Sequence, residues 1–150
     1  MRRSSSTTIF LMLFALAMAL ALPALADNST RAGDFSVHHN AVPTTSLTPD
    51  VARQYGITRS ANRALVNISV RQGEPGADRA VQAKVKLVAT NLNGQRLDLR
   101  AREVREGEAI YYLAEARITG NDTLVFELEV TPEGASAPIT ASFRQDFFAQ

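Results

Sequence analysis

The sequence contains no cysteine and no tryptophan, and it has only two histidines and three methionines among its 150 residues. Without cysteine the chain cannot carry a disulfide framework, a zinc ribbon, a Cys-x-x-Cys redox pair or a thiol nucleophile. The cysteine to which a lipoprotein anchor is attached is missing as well. An excess of one charge is also absent, because 16 basic residues nearly balance 15 acidic ones. Apolar residues make up 45% of the chain, which predicts a folded domain rather than a disordered one.

The first 26 residues have the three-part layout of a cleaved secretory signal peptide. Arg2 and Arg3 form a basic start, residues 9–22 are an unbroken apolar run, and Ala24–Ala26 supply a small-residue cleavage pattern. A membrane anchor is the weaker interpretation, since a bilayer needs about 20 apolar residues. We therefore expect cleavage after Ala26, export by the general secretory route and no later membrane span.

Removal of the signal peptide leaves a domain with almost no net charge. The 16 basic residues lose Arg2 and Arg3 while all 15 acidic residues remain, which gives a net charge of −1. Nucleic-acid binding is not expected, because it requires a strongly basic face. All three methionines leave with the signal, so the remaining chain has neither of the soft sulfur ligands that a Cu(I) carrier uses.

The rest of the chain has the pattern of an all-β domain. Residues 27–33 are polar and are interpreted as a flexible lead-in to a domain over 34–150. Within that domain, apolar and polar residues alternate with the period of two that is typical of strands. The predicted strands are seven, over residues 34–41, 65–71, 81–92, 96–104, 110–118, 123–131 and 139–148.

Turn and cap signals separate these segments. Asn93-Gly94, between two alternating runs, is a strong hairpin signal. Thr48, Pro49 and Gly56 have the positions of a cap, a first helical residue and a stop, which predicts one short helix. Seven evenly spaced strands favour an immunoglobulin-like antiparallel β-sandwich over a closed barrel, which usually has an even count.

Several segments of the chain resemble a known family. They are Gly33–His38, Leu47–Ala52, Tyr55–Ser60, Asn67–Val70 and Phe143–Phe148. Together and in this order they resemble the bacterial domain-of-unknown-function family 4426, small exported proteins of Proteobacteria. The resemblance implies a periplasmic, immunoglobulin-like β-sandwich, and it implies no activity.

The two histidines, His38 and His39, invite a metal interpretation that their spacing weakens. Neighbouring side chains of a strand point to opposite faces, so the two imidazoles cannot easily share one ion. Asp34 would share the face of His38, but it lies about 13 Å away along the strand. In the family a tyrosine is usual where this chain has His39, which implies that His39 packs inward and that His38 is the matched polar residue. We expect no metal and no other cofactor.

A serine hydrolase is the next possibility, because Asp34, Ser36 and His38 are close in sequence. A catalytic triad needs side chains that converge, usually from different elements, together with an oxyanion hole. The chain has no Gly-x-Ser-x-Gly motif. We therefore expect that the protein is not an enzyme.

The segment from Tyr55 to Ser60 joins the predicted helix to the second strand and is a candidate binding loop. In the structural alternative, Arg59 fastens the loop by donating to backbone carbonyls or to an acid such as Asp34.

Two function hypotheses follow from these patterns. The first is a non-enzymatic periplasmic module that binds a protein or an envelope component through a sheet edge or this loop. The second is a periplasmic protein that binds a small ligand or a metal. The candidate binding residues are Asp34, His38, Tyr55, Arg59 and Ser60.

Overall fold

Alternating apolar and polar residues form ten strands, one 3-10 turn and one short helix within residues 28–149, the part of the chain that the computed structural model describes. The predicted signal peptide lies outside these residues. In chain order the elements are β1 (Ser29–Ala32), β2 (Phe35–Pro43), the 3-10 turn (Thr44–Ser46), α1 (Pro49–Gln54), β3 (Arg63–Gln72), β4 (Arg79–Ala80), β5 (Ala83–Asn91), β6 (Arg96–Leu99), β7 (Arg102–Glu106), β8 (Ala109–Arg117), β9 (Asp122–Pro132) and β10 (Ile139–Phe147).

The strands form two antiparallel sheets that pack face to face. The first sheet has the order β1-β2-β3-β8-β7, with the short β4 also paired to β3. The second sheet has the order β10-β9-β5-β6. This arrangement confirms the predicted all-β sandwich. None of the helices within residues 28–149 has the length and apolar character needed to cross a bilayer.

The predicted count of seven strands is approximate. Ser29–Ala32 form β1, which pairs with β2 from Ala32↔Phe35 to Ser29↔His38, so this part of the expected flexible lead-in is ordered as a strand. The strand expected over 96–104 divides into β6 and β7, which belong to different sheets. The chain crosses between the sheets at Arg100 and Ala101, so this segment contributes an edge to each sheet.

The main core lies between the two sheets. Val66, Ile68 and Val70 of β3 face Phe126 and Val130 of β9, and all five are fully buried. The inward residues predicted for these strands are the ones that the structure buries. Burial of apolar side chains stabilises a fold by roughly 25 cal/mol for each Å² removed from water, so this interface dominates the stability of the domain.

A second, smaller core lies on the outer face of the first sheet. There α1 and the segment after it cover Leu65 and Leu113 with Ala52 and Ile57. The helix begins as predicted, with the Thr48 hydroxyl accepting a hydrogen bond from the amide of Val51 at 3.3 Å.

Candidate functional site

The five residues predicted to form a binding site lie in two separate places. Asp34 and His38 belong to the β1–β2 hairpin, whereas Tyr55, Arg59 and Ser60 lie between α1 and β3. No hydrogen bond or ion pair among residues 28–149 joins the two groups.

Asp34 and His38 do not act on each other. The Asp34 carboxylate accepts a hydrogen bond from the side-chain amide of Gln72 at 2.8 Å. His38 is exposed, and its Nε2 atom lies 3.3 Å from the hydroxyl of Ser36. The three residues considered for a triad therefore give one serine–histidine contact, with the acid engaged elsewhere.

His39 points to the opposite face of β2, as its strand position predicts. It is buried and its ring stacks on Phe143, with the ring centroids 4.6 Å apart. The two imidazoles therefore cannot hold one ion together. Within residues 28–149 there is no group of three or more His, Cys, Asp or Glu side chains that could bind a metal.

Arg59 and Ser60 fasten the chain between α1 and β3 to the 3-10 turn. The Arg59 guanidinium donates to the carbonyl of Thr45 at 3.1 Å. This is the structural alternative given above, in which Arg59 fastens the loop by donating to a backbone carbonyl. The fully buried Thr44 hydroxyl donates to the Ser60 carbonyl at 3.0 Å and accepts from the Ser60 amide at 2.9 Å. These contacts hold the loop in one conformation, and a binding role for Arg59 and Ser60 stays a prediction.

Tyr55 fastens the end of α1 to β7. Its phenol donates to the Glu106 carboxylate at 2.5 Å, and its carbonyl accepts from the guanidinium of Arg102. The side chain of Gln54 also donates to Glu106, at 3.3 Å. The hydrogen bond to the carboxylate favours the protonated phenol and raises the pKa of Tyr55 above its ordinary value.

A groove of about 250 Å³ lies beside this attachment, on the outer face of the first sheet. Most of its wall is apolar, but Asn67 of β3 also lines it. The Oδ1 atom of Asn67 is buried and accepts no hydrogen bond from the protein. The lining residues are Leu47, Val51, Tyr55, Ile57, Leu65, Asn67, Glu106, Tyr111 and Leu113.

Sequence reasoning missed Asn67, Glu106 and Tyr111 as residues that could form a site. Asn67 alternates with the inward Val66 and Ile68, so its pattern predicts an ordinary solvent-facing position. Only the folding of α1 over the sheet turns this position into the wall of a groove. The segment Asn67–Val70, which resembles the family, carried a weak signal, because it has an asparagine in a predicted strand and asparagine is uncommon in strands.

The exposed edges of the two sheets differ in length and charge. β1 and β6 have four residues each and β7 has five, whereas β10 has nine. Arg96 and Asp98 lie on β6, and four of the five residues of β7 are charged. In β10 the first five residues, Ile139–Phe143, carry no charge, and the strand has neither proline nor glycine. Short or charged edges resist pairing with another strand, whereas β10 is long and carries charge only at Arg144 and Asp146, in its second half.

Comparison with known proteins identifies a family that matches most of the chain. The model of DUF4426, described as a domain of unknown function, matches residues 29–150. The crystal structure of a DUF4426 family protein from Pseudomonas aeruginosa PAO1 is 34% identical, with a TM-score of 0.68. The match covers 81% of this chain and 94% of that protein. A search of the curated proteins found no match.

Two structures of FetP from uropathogenic Escherichia coli strain F11 share the fold at 10% identity. FetP produced in the periplasm of E. coli matches with a TM-score of 0.59, over 81% of this chain and 93% of FetP. A copper-bound variant of FetP matches with a TM-score of 0.60, over 83% of this chain and 97% of FetP.

Proposed function

This chain belongs to the DUF4426 family, a domain of unknown function, and we propose that it is a non-enzymatic binding module of the bacterial periplasm. Its partner is a protein or an envelope component that presents an extended segment. The segment adds as a new strand to the second sheet, along β10. The length of the β10 edge, nine residues of which the first five are uncharged, is the observation that carries this proposal.

The pairing of β10 supports strand addition. β10 pairs with β9 without interruption from Ile139↔Val130 to Phe147↔Asp122, so it is straight enough to present a regular row of backbone groups. Within residues 28–149 it has a strand neighbour on one side only. Alternate N–H and C=O groups on its other side can therefore pair with an added strand.

The side chains of β10 offer apolar surface to the same partner. Phe143 is only half-buried although its ring stacks on His39 and on Phe126, at centroid distances of 4.6 and 4.9 Å. Phe148, just beyond the strand, is 69% exposed. An added strand would gain affinity from backbone hydrogen bonds and specificity from contacts with these rings.

A non-enzymatic role is consistent with the hydrogen bonds around the histidine. Asp34 is bound to Gln72, so it does not orient His38 as a triad acid would. We therefore place the activity of the protein in binding. A purified protein that turned over a substrate, and lost that turnover when one residue was changed, would contradict this part of the proposal.

Site-specific photocrosslinking in intact source cells tests the β10 interface. A photoreactive amino acid is placed at Thr140 or Ser142 on the solvent face of β10, and at Asp98 on β6 as the matched control. We expect one crosslinked partner at both β10 positions and none at Asp98. Equal crosslinking at all three positions, or crosslinking at Asp98 alone, would contradict the proposal.

A pair of proline variants then distinguishes pairing from general contact. Adjacent strand residues point their N–H groups to opposite sides. One of the two variants Ala141→Pro and Ser142→Pro therefore removes a hydrogen bond to β9, and the other removes an N–H group on the open side of β10. We expect that the variant with the wild-type melting temperature is the one that loses the partner. Partner binding by both folded variants would exclude strand addition.

The periplasmic location belongs to the same proposal and has its own test. When the full chain is expressed in its source, the protein should be recovered from the periplasm. Its intact mass should match a chain that begins at Asp27, because the cleavage pattern ends at Ala26. A cytoplasmic protein that retains residues 1–26 would refute export.

Binding of a small ligand or a metal is the alternative, and the fold shared with a copper-bound FetP variant is compatible with the binding of a metal. At 10% identity that similarity concerns the fold alone. His38 is the exposed imidazole of this chain, so native mass spectrometry of the wild type and of His38→Ala separates the two functions. A copurifying mass that is lost in His38→Ala would favour the alternative, and an apo mass favours the strand-addition module.

A further inference from the structure

A cleft of about 330 Å³ opens where β6 of the second sheet meets β8 of the first sheet. We call it the β6–β8 cleft. Apolar side chains from both sheets form much of its wall, and they are Ala89, Leu97, Leu99, Ala116 and Leu124. The cleft therefore reaches the edge of the main core between the sheets.

Leu97 shows that the core is left uncovered at this edge. It is opposite the buried Ala89 in the register of β5 and β6, so it lies on the inner face of the second sheet. Its side chain is nevertheless 57% exposed, whereas Leu87 on the same face is 2% exposed. The first sheet does not cover Leu97, because β7 pairs with β8 only as far as Leu113. An inward apolar position that the fold leaves open can accept an apolar ligand.

Arg117 is a positive charge without a partner at the same place. It lines the β6–β8 cleft and also an adjoining groove of about 520 Å³. Its side chain forms no ion pair with any residue of 28–149. In the sheet register Arg117 is directly opposite Arg63, and like charges at such positions repel each other. Arg63 is compensated by Glu115 at 3.3 Å, so an anion at Arg117 would relieve the repulsion that remains.

The other charged side chains that line the cleft are already engaged. Arg96 pairs with Glu127 at 2.5 Å. The Asp122 carboxylate accepts hydrogen bonds from two backbone amides, at 2.9 and 3.1 Å. The guanidinium of Arg117 is thus the group left for a ligand, and a ligand that complements it carries negative charge.

The chemistry of these groups narrows the ligand class. A guanidinium binds a planar carboxylate through two parallel hydrogen bonds. The walls formed by Leu97, Leu99 and Leu124 suit an aliphatic chain. A volume of about 330 Å³ is near the lower limit of small-ligand sites, which favours a chain of medium length over that of a long-chain lipid.

We propose that the β6–β8 cleft binds a medium-chain aliphatic carboxylate. The carboxylate pairs with Arg117 where the cleft meets the adjoining groove, and the chain packs against Leu97, Leu99 and Leu124. A neutral chain would leave Arg117 without a partner, and a short carboxylate would leave the apolar wall uncovered. The site includes neither His38 nor any residue of β10.

Calorimetric titration at low ionic strength tests the ligand class, using protein purified from cells that express the full chain. The probe is octanoate, below the concentration at which it forms micelles. The comparators are octanol without charge, octylamine with the opposite charge and acetate without a chain. We expect saturable binding of octanoate and binding of octanol weaker by about tenfold or more, the effect of one charged hydrogen bond. Absence of saturable octanoate binding, or a comparator that binds equally, would overturn the proposal.

A pair of arginine variants tests the position of the carboxylate. Arg117→Gln should weaken octanoate binding by about tenfold or more and leave octanol binding unchanged. Its melting temperature should stay equal or rise, because the repulsion with Arg63 is gone. Arg31→Gln is the charge-matched control, since Arg31 is an exposed arginine of β1 that forms no ion pair with residues 28–149. Equal effects of the two variants, or unchanged binding in Arg117→Gln, would refute the site.

A pair of leucine variants tests the position of the chain. Leu97→Ser should weaken octanoate and octanol alike, because it removes part of the apolar wall. Leu92→Ser is the matched control, because Leu92 is 70% exposed in the turn between β5 and β6 and does not line the cleft. If Leu97→Ser binds octanoate as the wild type does, or if Leu92→Ser weakens binding equally, the chain does not lie in this cleft.

The two proposals fail independently of each other. β6 and β10 are opposite edges of the second sheet. Failure of octanoate binding would therefore leave the crosslinks expected at Thr140 and Ser142 unchanged. Absence of those crosslinks would likewise leave the carboxylate site in place.

Discussion

The two faces of the first sheet are built for different tasks. The inner face presents Val66, Ile68 and Ala114 to the second sheet, and all three are buried. The outer face presents Asn67 on β3, between Val66 and Ile68, and His38 on the neighbouring strand β2. On this outer face, α1 covers one area of the sheet, and the few residues buried under it form the small core.

The inner face of the sheet therefore contributes mainly to stability, whereas the outer face carries the groups that could recognise a ligand. Most positions of the inner face are filled by apolar side chains, and His39 and Tyr112 are buried among them. The outer face combines apolar walls with polar side chains, among them Asn67, whose Oδ1 accepts no hydrogen bond from the protein, and Glu106. Mutations on the inner face should therefore cost the most stability, and mutations on the outer face should change stability less or raise it.

The largest effect is expected for Phe126→Ala on the inner side. Phe126 is fully buried and stacks on Phe143, so its removal leaves a cavity that costs about 3–5 kcal/mol of unfolding free energy. Urea denaturation measures this value. Leu97→Ala, at a side chain that is 57% exposed, serves as the control and should change little.

Leu113→Ala on the outer side should cost about 2 kcal/mol, the lower end of the range for buried leucines. Leu113 is buried in the small core, but the groove beside it gives α1 room to relax over the shortened side chain. A loss as large as that of Phe126→Ala in the same urea experiment would mean that the two faces contribute equally.

Thr44→Val tests the attachment of the outer loop and should cost about 1–2 kcal/mol. The substitution keeps the shape of the side chain but leaves the amide of Ser60 without its partner. It also removes one of the two hydrogen bonds to the Ser60 carbonyl, which keeps the one from the amide of Arg63. Thermal unfolding measures the loss. Thr140→Val, at an exposed threonine of β10, is the matched control. An equal loss of stability there would mean that the loss in Thr44→Val does not come from the hydrogen bonds to Ser60.

Asn67→Leu should raise stability by about 0.5–1 kcal/mol, because it replaces a buried carbonyl that accepts no hydrogen bond with an apolar group. No comparable gain is expected from a polar residue of the inner face that has a role in packing, such as His39. A clear loss of stability in Asn67→Leu would show that Asn67 is satisfied in the folded protein.

The smallest effect concerns two tyrosines, one on each face. A hydrogen bond to Glu106 raises the pKa of Tyr55, whereas burial raises the pKa of Tyr112. Each raised pKa contributes stability below the unfolded value near 10, and this contribution is lost as the pH rises through the folded pKa. In a phenol absorbance titration, Glu106→Gln should lower the pKa of Tyr55 and leave that of Tyr112 high. An unchanged Tyr55 titration would contradict the hydrogen bond.

The sequence predicts the inner face well because burial imposes a local pattern. Period-two alternation identifies the strands, and Thr48, Pro49 and Gly56 identify the helix. The predicted hairpin at Asn93-Gly94 is present with Gly94 at φ +77°. Its loop is longer than two residues, because the side chain of Asn91 accepts hydrogen bonds from the amides of Asn93 and Gln95.

The features that the sequence does not reveal depend on contacts between distant segments. β1 is a short polar strand that is ordered by pairing with β2, and no local pattern marks it. The alternation of Leu97, Leu99 and Ala101 continues unbroken where the chain leaves one sheet for the other. The groove likewise requires α1, β3, β7 and β8 together, so its acceptors have no shared sequence signature.

Amide hydrogen exchange on β10, with and without the crosslinked partner, tests the central claim most directly. The account predicts that alternate amides of Ile139–Phe147, those that point away from β9, become protected when the partner is bound, while β6 is unchanged. Protection confined to α1 and the groove, or distributed without a period of two, would contradict strand addition at this edge.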